Sequence, residues 1–196
     1  KRAKKVKEKT IFIGGDHSIS YPITRSFLER SQKPRFIIFD AHPDLMPPME
    51  NPTHEEWLTK LIDEKLIEPQ NIMLIGIRGE SKNVSPKEME SAKEKRINVI
   101  YAHEFEEKKE EILKFAKENF YLSIDIDAFD KKDTPATGYP EKQGPEKESL
   151  IGIITKLAKL KTLKSADIVE INPTKPEAEK TIRLAKRVLE ILKNHL

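Results

Sequence analysis

Asp40, His42 and Asp44 stand at i, i+2 and i+4 directly after the apolar run Phe36-Ile37-Ile38-Phe39. On an extended backbone alternate side chains point the same way, so all three can converge on one spot. Carboxylate oxygens and an imidazole nitrogen are ligands for a divalent cation. A second acidic pair, Asp125 and Asp127, alternates with Ile124 and Ile126, again at i and i+2. The segment Gly14-Gly15-Asp16-His17-Ser18 closes another apolar stretch with a histidine, and Glu170 follows Asp167-Ile168-Val169. Singly, each has an ordinary reading: a solvated turn, a glycine turn beside a hydrogen-bonded histidine, a loop cap, a surface charge at a strand end. Together they repeat one theme, metal-capable side chains just after an apolar run.

Two histidines and four or more carboxylates carry too much negative charge to share a buried crevice unpaired, and a pair of divalent cations is the natural solution. Oxygen-rich ligation with two imidazoles suits manganese best, with zinc, cobalt and iron as alternatives. Carboxylates can bridge two metals at a separation of about 3.5–4 Å, where both polarise one water. With no cysteine in the chain, the ligands must be His, Asp and Glu.

Elements able to hold these groups follow from apolar pattern and punctuation. Apolar runs predict strands over residues 10–13, 36–39, 72–77, 97–101, 121–126 and 167–171. Helices are expected over 22–30, 53–66, 86–95, 104–119, 147–160 and 176–194. Thr53 with Glu56 reads as a capping box, and Ser85-Pro86 as a cap followed by a first-turn proline. This alternation predicts an α/β fold, a three-layer αβα sandwich with a mostly parallel sheet. In such a sheet the four motifs lie at carboxyl ends and face one crevice. The polar stretch 130–144 is too long for a plain connector, so it is expected to be functional.

The 196 residues fit one domain spanning 1–196, with 1–9 a basic, flexible start. Charged residues make up 35% of the chain but nearly cancel to +3, which gives no reason to invoke nucleic acid or a membrane surface. No apolar run approaches the ~18 residues that span a bilayer, and no secretory segment is visible, so a cytoplasmic location is the default.

The four motifs in this order resemble the ureohydrolase family of arginase, agmatinase and their relatives. The segments that carry the resemblance are GGDHS at 14–18, DAHPD at 40–44, SIDIDAFD at 123–130 and EINP at 170–173. Residues 134–138, TPATG, are similar to a family loop, and the resemblance extends over 11–173. It implies an arginase-like fold and two Mn2+ ions. His17, Asp40, Asp44 and Asp125 would hold one, and His42, Asp40, Asp125 and Asp127 the other, with Asp40 and Asp125 bridging. It further implies attack of a metal-activated water on a small guanidino substrate, giving urea and an amine. In that scheme Glu170 binds the guanidinium, Thr137 lies beside it and His54 shuttles a proton to the leaving amine. His103 and His195 match no motif and read as surface residues.

The family usually has glycine where Glu55 follows His54, and proline where Lys131 follows Asp130. Its members also carry a strand–helix section before GGDHS, where this sequence has a short basic tail. Met46 stands where arginases place a carboxylate-binding asparagine, which favours agmatine over arginine. The resemblance implies a homo-oligomer, trimer or hexamer. Two rival readings are another metal-dependent amide or formimino hydrolase on the same fold, and a non-catalytic metal-binding relative.

Overall fold

Inner strands buried along nearly their whole length demand cover on both sides, and the chain supplies it. The computed structural model describes residues 9–29, 31 and 34–196. The basic start before Lys9, and Arg30 at the expected end of the first helix, lie outside the described residues. The strands are β1 (Ile11–Ile13), β2 (Arg35–Phe39), β3 (Ile72–Ile77), β4 (Asn98–Tyr101), β5 (Phe120–Asp125) and β6 (Leu163–Val169). Between and after them run α1 (Ser20–Leu28), α2 (Trp57–Asp63), α3 (Pro86–Glu94), α4 (Phe105–Phe115), α5 (Lys147–Ala158) and α6 (Ala178–Lys193).

The strands form one sheet in the order β1-β6-β5-β2-β3-β4, and every pairing among the described residues is parallel. In β2, Phe36 and Ile38 pack with Phe27, Trp57 and Ala92 under α1, α2 and α3. Ile37 and Phe39 pack on the opposite face with Phe105, Leu150 and Val188, from α4, α5 and α6. That two-sided burial explains the unbroken apolar run, and each such side chain stabilises the fold by about 1.5–3 kcal/mol. The result is the expected three-layer α/β sandwich.

Local chemistry moved several boundaries. The last strand begins at Leu163 rather than 167, because Lys164 and Ser165 masked its start, and it stops at Val169 rather than 171. Helix α2 begins only at Trp57. Thr53 N–H does donate to the Glu56 carboxylate at 2.7 Å, but the Glu55 carbonyl is taken by Met46 N–H. Helix α4 ends at Phe115 because Arg35 Nη1 takes the Phe115 carbonyl and Thr162 Oγ1 the Ala116 carbonyl, each at 2.8 Å.

From β2 the chain moves outward to β3, whereas from β5 it moves the other way to β6. The β2–β5 boundary is therefore the topological switch point, where such sheets open a crevice beyond their carboxyl ends. The pairing of Phe39 with Ile124 sets Asp40 and Asp125 side by side there.

Candidate metal centre

At that crevice the side chains gather into two clusters able to hold a metal, His17 with Asp40 and Asp44, and His42 with Asp40 and Asp127. Asp40 belongs to both. His17 Nδ1 lies 3.1 Å from Asp40 Oδ2, 2.9 Å from Asp44 Oδ2 and 3.3 Å from Asp125 Oδ2. His42 Nδ1 lies 3.0 Å from Asp127 Oδ2 and 3.6 Å from Asp40 Oδ1.

Backbone donors aim the carboxylates. Asp40 Oδ1 accepts from His42 N–H at 2.7 Å, Asp125 Oδ1 from Asp127 N–H at 2.8 Å, and Asp127 Oδ1 from Ala41 N–H at 3.0 Å. In each residue the second oxygen is left to the imidazoles. Asp44 sits in the left-handed region at φ 53°, with its Oδ2 held at 2.7 Å by the Trp57 indole N–H. Glu170 is left-handed too, at φ 63°. Left-handed non-glycine residues cost free energy and cluster at functional sites.

His17 is oriented from behind. Its Nε2 lies 3.0 Å from Ser123 Oγ, and that hydroxyl donates at 2.6 Å to Asp167 Oδ1. Because the serine proton goes to Asp167, Ser123 accepts from Nε2–H, which turns Nδ1 toward the carboxylates, where it can carry a proton or, once that proton is shed, ligate an ion. Asp167 is fully buried and also accepts from Ser20 Oγ at 2.9 Å and Tyr121 OH at 2.8 Å. Removing such an outer hydrogen bond typically weakens metal affinity 10–100-fold. Ser123→Ala is accordingly expected to weaken divalent-metal affinity at the His17 group at least about tenfold, read by calorimetry, with folding retained.

A divalent ion fits this donor set. A protonated Nδ1 of His17 could serve one carboxylate while three converge on it, and it makes no aligned hydrogen bond. Protons share out the charge otherwise. Burial alone would deprotonate His17, yet Asp125, Asp40 and Asp44 hold its pKa well above the ordinary imidazole range. Burial also works against the His42 proton, but Asp127 and Asp40 push its pKa up to about 12. Asp44 is raised to about 7 by burial and by Asp40. Asp125 is raised well above the carboxylate range by burial, Asp127 and Asp40. Metal ligands must shed such protons, so an ion would take their place.

Above the clusters opens a cavity of about 320 Å3, small enough for a compact ligand. It is lined by His17, His42, Asp44, Asp125, Asp127 and Glu170, by Met46, His54, Ser85 and Glu88, and at its exposed mouth by Glu55, Lys82, Asn83 and Tyr139. His54 lies stacked on the Tyr139 ring at 5.9 Å, and its Nε2 has no hydrogen-bond partner. Glu170 Oε1 accepts from His17 N–H at 2.8 Å, and burial raises its pKa. A Cβ on Gly138 would come within 2.9 Å of Glu170 Oε2, so a larger residue there would push the Glu170 carboxylate from its place. Thr137 is buried in that loop with an unpartnered hydroxyl, and it does not line the cavity. His103 and His195 are exposed away from the site.

Pattern reading missed the supports. Arg78 donates to the carbonyls of Gly76, Ala128 and Phe129 at 2.7–3.0 Å, tying β3 to the Asp125–Asp127 turn. A basic residue closing an apolar strand carries no motif. Asp167 did leave a signal, as a charge inside a buried apolar strand.

An all-parallel α/β domain whose switch-point crevice gathers two histidines and four aspartates around a small cavity defines the class: a three-layer α/β fold with a candidate metal centre at its switch point. The chain belongs to the arginase family, whose model matches residues 1–192. It is 30% identical to an agmatinase of Bacillus subtilis (strain 168), over 90% of this chain and 60% of that protein. It is 35% identical to a guanidinopropionase of Pseudomonas aeruginosa, over 82% of this chain and 52% of the relative. Among solved structures, a formimidoylglutamase from Bacillus subtilis superposes with a TM-score of 0.85 at 27% identity, covering 93% of this chain and 60% of that one. The chain thus spans about three-fifths of the length of the agmatinase it matches.

Proposed function

We propose that this protein hydrolyses a small linear guanidino compound to urea and an amine, using two manganese ions held by His17, His42, Asp40, Asp44, Asp125 and Asp127. The observation that carries this reading is the pair of His/Asp clusters that share Asp40. Asp125 Oδ2, 3.3 Å from His17 Nδ1, would add a further carboxylate ligand beside the His17 cluster. Bound there, the ions would make water a nucleophile near neutral pH and polarise the carbon under attack.

The chain's own groups do the rest. Glu170, lining the cavity, offers a carboxylate to the planar N–H fork of a guanidinium. His54, lining the cavity with Nε2 free of hydrogen bonds and 3.9 Å from Glu55 Oε1, is placed to hand a proton to the departing amine nitrogen, which must leave neutral. The substrate tail would extend toward a mouth carrying one cation, Lys82, and one anion, Glu55. Met46, lining the same cavity, favours agmatine over arginine. The protein is expected to act in the cytoplasm as a homo-oligomer, trimer or hexamer.

The test is urea release after manganese loading, with agmatine, arginine and 4-guanidinobutyrate run side by side. Release from one of them, lost in Asp127→Asn, is the expected result. Two ions bound per chain with no urea from any would point to an amide or formimino substrate, or to a non-catalytic metal-binding role.

A further inference from the structure

The two imidazoles of the centre are backed differently. Behind His17 stands a neutral hydroxyl, that of Ser123. Behind His42 stands a carboxylate. With Nδ1 turned to Asp127 and Asp40, His42 Nε2 is buried without a hydrogen bond, and Glu141 Oε1 lies 3.7 Å from it. Glu141 is itself a built feature. Its Oε1 accepts from Ser81 Oγ at 2.6 Å and Asn83 Nδ2 at 2.5 Å, and its carbonyl accepts from Lys131 N–H at 2.6 Å. Its side chain is 12% exposed, and His42 is its only ion-pair partner among the described residues. A carboxylate so enclosed needs a positive counterpart: the Arg78 guanidinium acts on it from a distance, and the His42 imidazole is the group in ion-pair contact.

We propose that Glu141 is the positioning residue of the second metal site: it receives Nε2–H of His42, fixes the ring tautomer and turns Nδ1 toward the ion shared with Asp127 and Asp40. Contacts of this kind are often long before the complex forms and shorten in it. A carboxylate behind a ligating histidine also makes the imidazole more basic, so this site gains affinity that a neutral partner would not provide. The same carboxylate holds Asn83, part of the cavity mouth, so one side chain links metal binding to a wall of the pocket. The inference rests on the two-metal reading above.

Stepwise manganese affinities of the full chain test it, measured by calorimetry and by electron paramagnetic resonance. In Glu141→Gln one of the two affinities is expected to weaken about 10–100-fold while the other stays within about threefold. Ser81→Ala, which removes a donor but keeps the charge, should leave both within about threefold. In a His42→Ala background Glu141→Gln should add nothing, since the coupling runs through the ring. Should Glu141→Gln fail to fold by circular dichroism, Glu141→Asp is expected to keep the selective loss, in smaller degree. Unchanged affinities in Glu141→Gln would overturn the proposal, as would equal losses at both sites matched by Ser81→Ala. A wild-type protein that binds fewer than two ions would overturn the two-metal reading itself, and this assignment with it.

Discussion

Asp40→Asn is expected to cut urea release by about a thousandfold or more and to weaken both manganese affinities at once. Asp40 is the residue that both clusters share, so its loss reaches His17 on one side and His42 on the other. The substitution is otherwise gentle. Asparagine keeps an oxygen for His42 N–H, which Asp40 Oδ1 now accepts at 2.7 Å. What disappears is the charge: burial would raise the Asp40 pKa, but His17 and His42 together hold it below the usual carboxylate range. Metal-assisted polarisation supplies several kcal/mol to such a reaction, and about 4 kcal/mol corresponds to about a thousandfold in rate. Ion stoichiometry, calorimetry and a urea assay read the outcome. A variant that keeps two tight ions would show that the clusters do not share a bridge.

Glu170→Gln should separate the guanidine reading from its rivals. Glutamine can still accept from His17 N–H, and the left-handed backbone is unchanged, so the fold and both metal affinities should persist within about threefold. Only the charge facing the substrate is lost. Two charge-assisted hydrogen bonds to a guanidinium are together worth about 3–4 kcal/mol, so kcat/KM for guanidino substrates should drop about 10²–10³-fold. An amide or formimino substrate makes less use of that carboxylate. Unchanged turnover with a substrate of that kind would transfer the assignment to it.

The layered fold and the crevice were legible because two-sided burial forces unbroken apolar strands, as in Phe36-Ile37-Ile38-Phe39, and because ligands alternate with small or apolar residues just beyond them. His17, Asp40, His42 and Asp44 could be grouped from spacing and strand ends alone. What could not be read were boundaries and supports that depend on distant partners. Helix α4 stops where Arg35 and Thr162 claim its carbonyls, and no local pattern near Phe115 announces either. Ser123 stood inside a recognisable motif, yet its role depends on Asp167, 44 positions away. Trp57 is a fully buried core residue whose indole N–H also fixes Asp44, a second role that no local spacing announces.

His17 and Glu170 meet through one hydrogen bond across 153 positions of sequence, because β1 joins the sheet beside the last strand, β6. Parallel pairings so far apart are slow to form, since chain closure must precede any reward. No early, partly collapsed chain can present the complete crevice. An ion that requires His17, Asp40 and Asp125 together therefore cannot nucleate folding. It would act as a latch on the finished topology, slowing its opening by mass action.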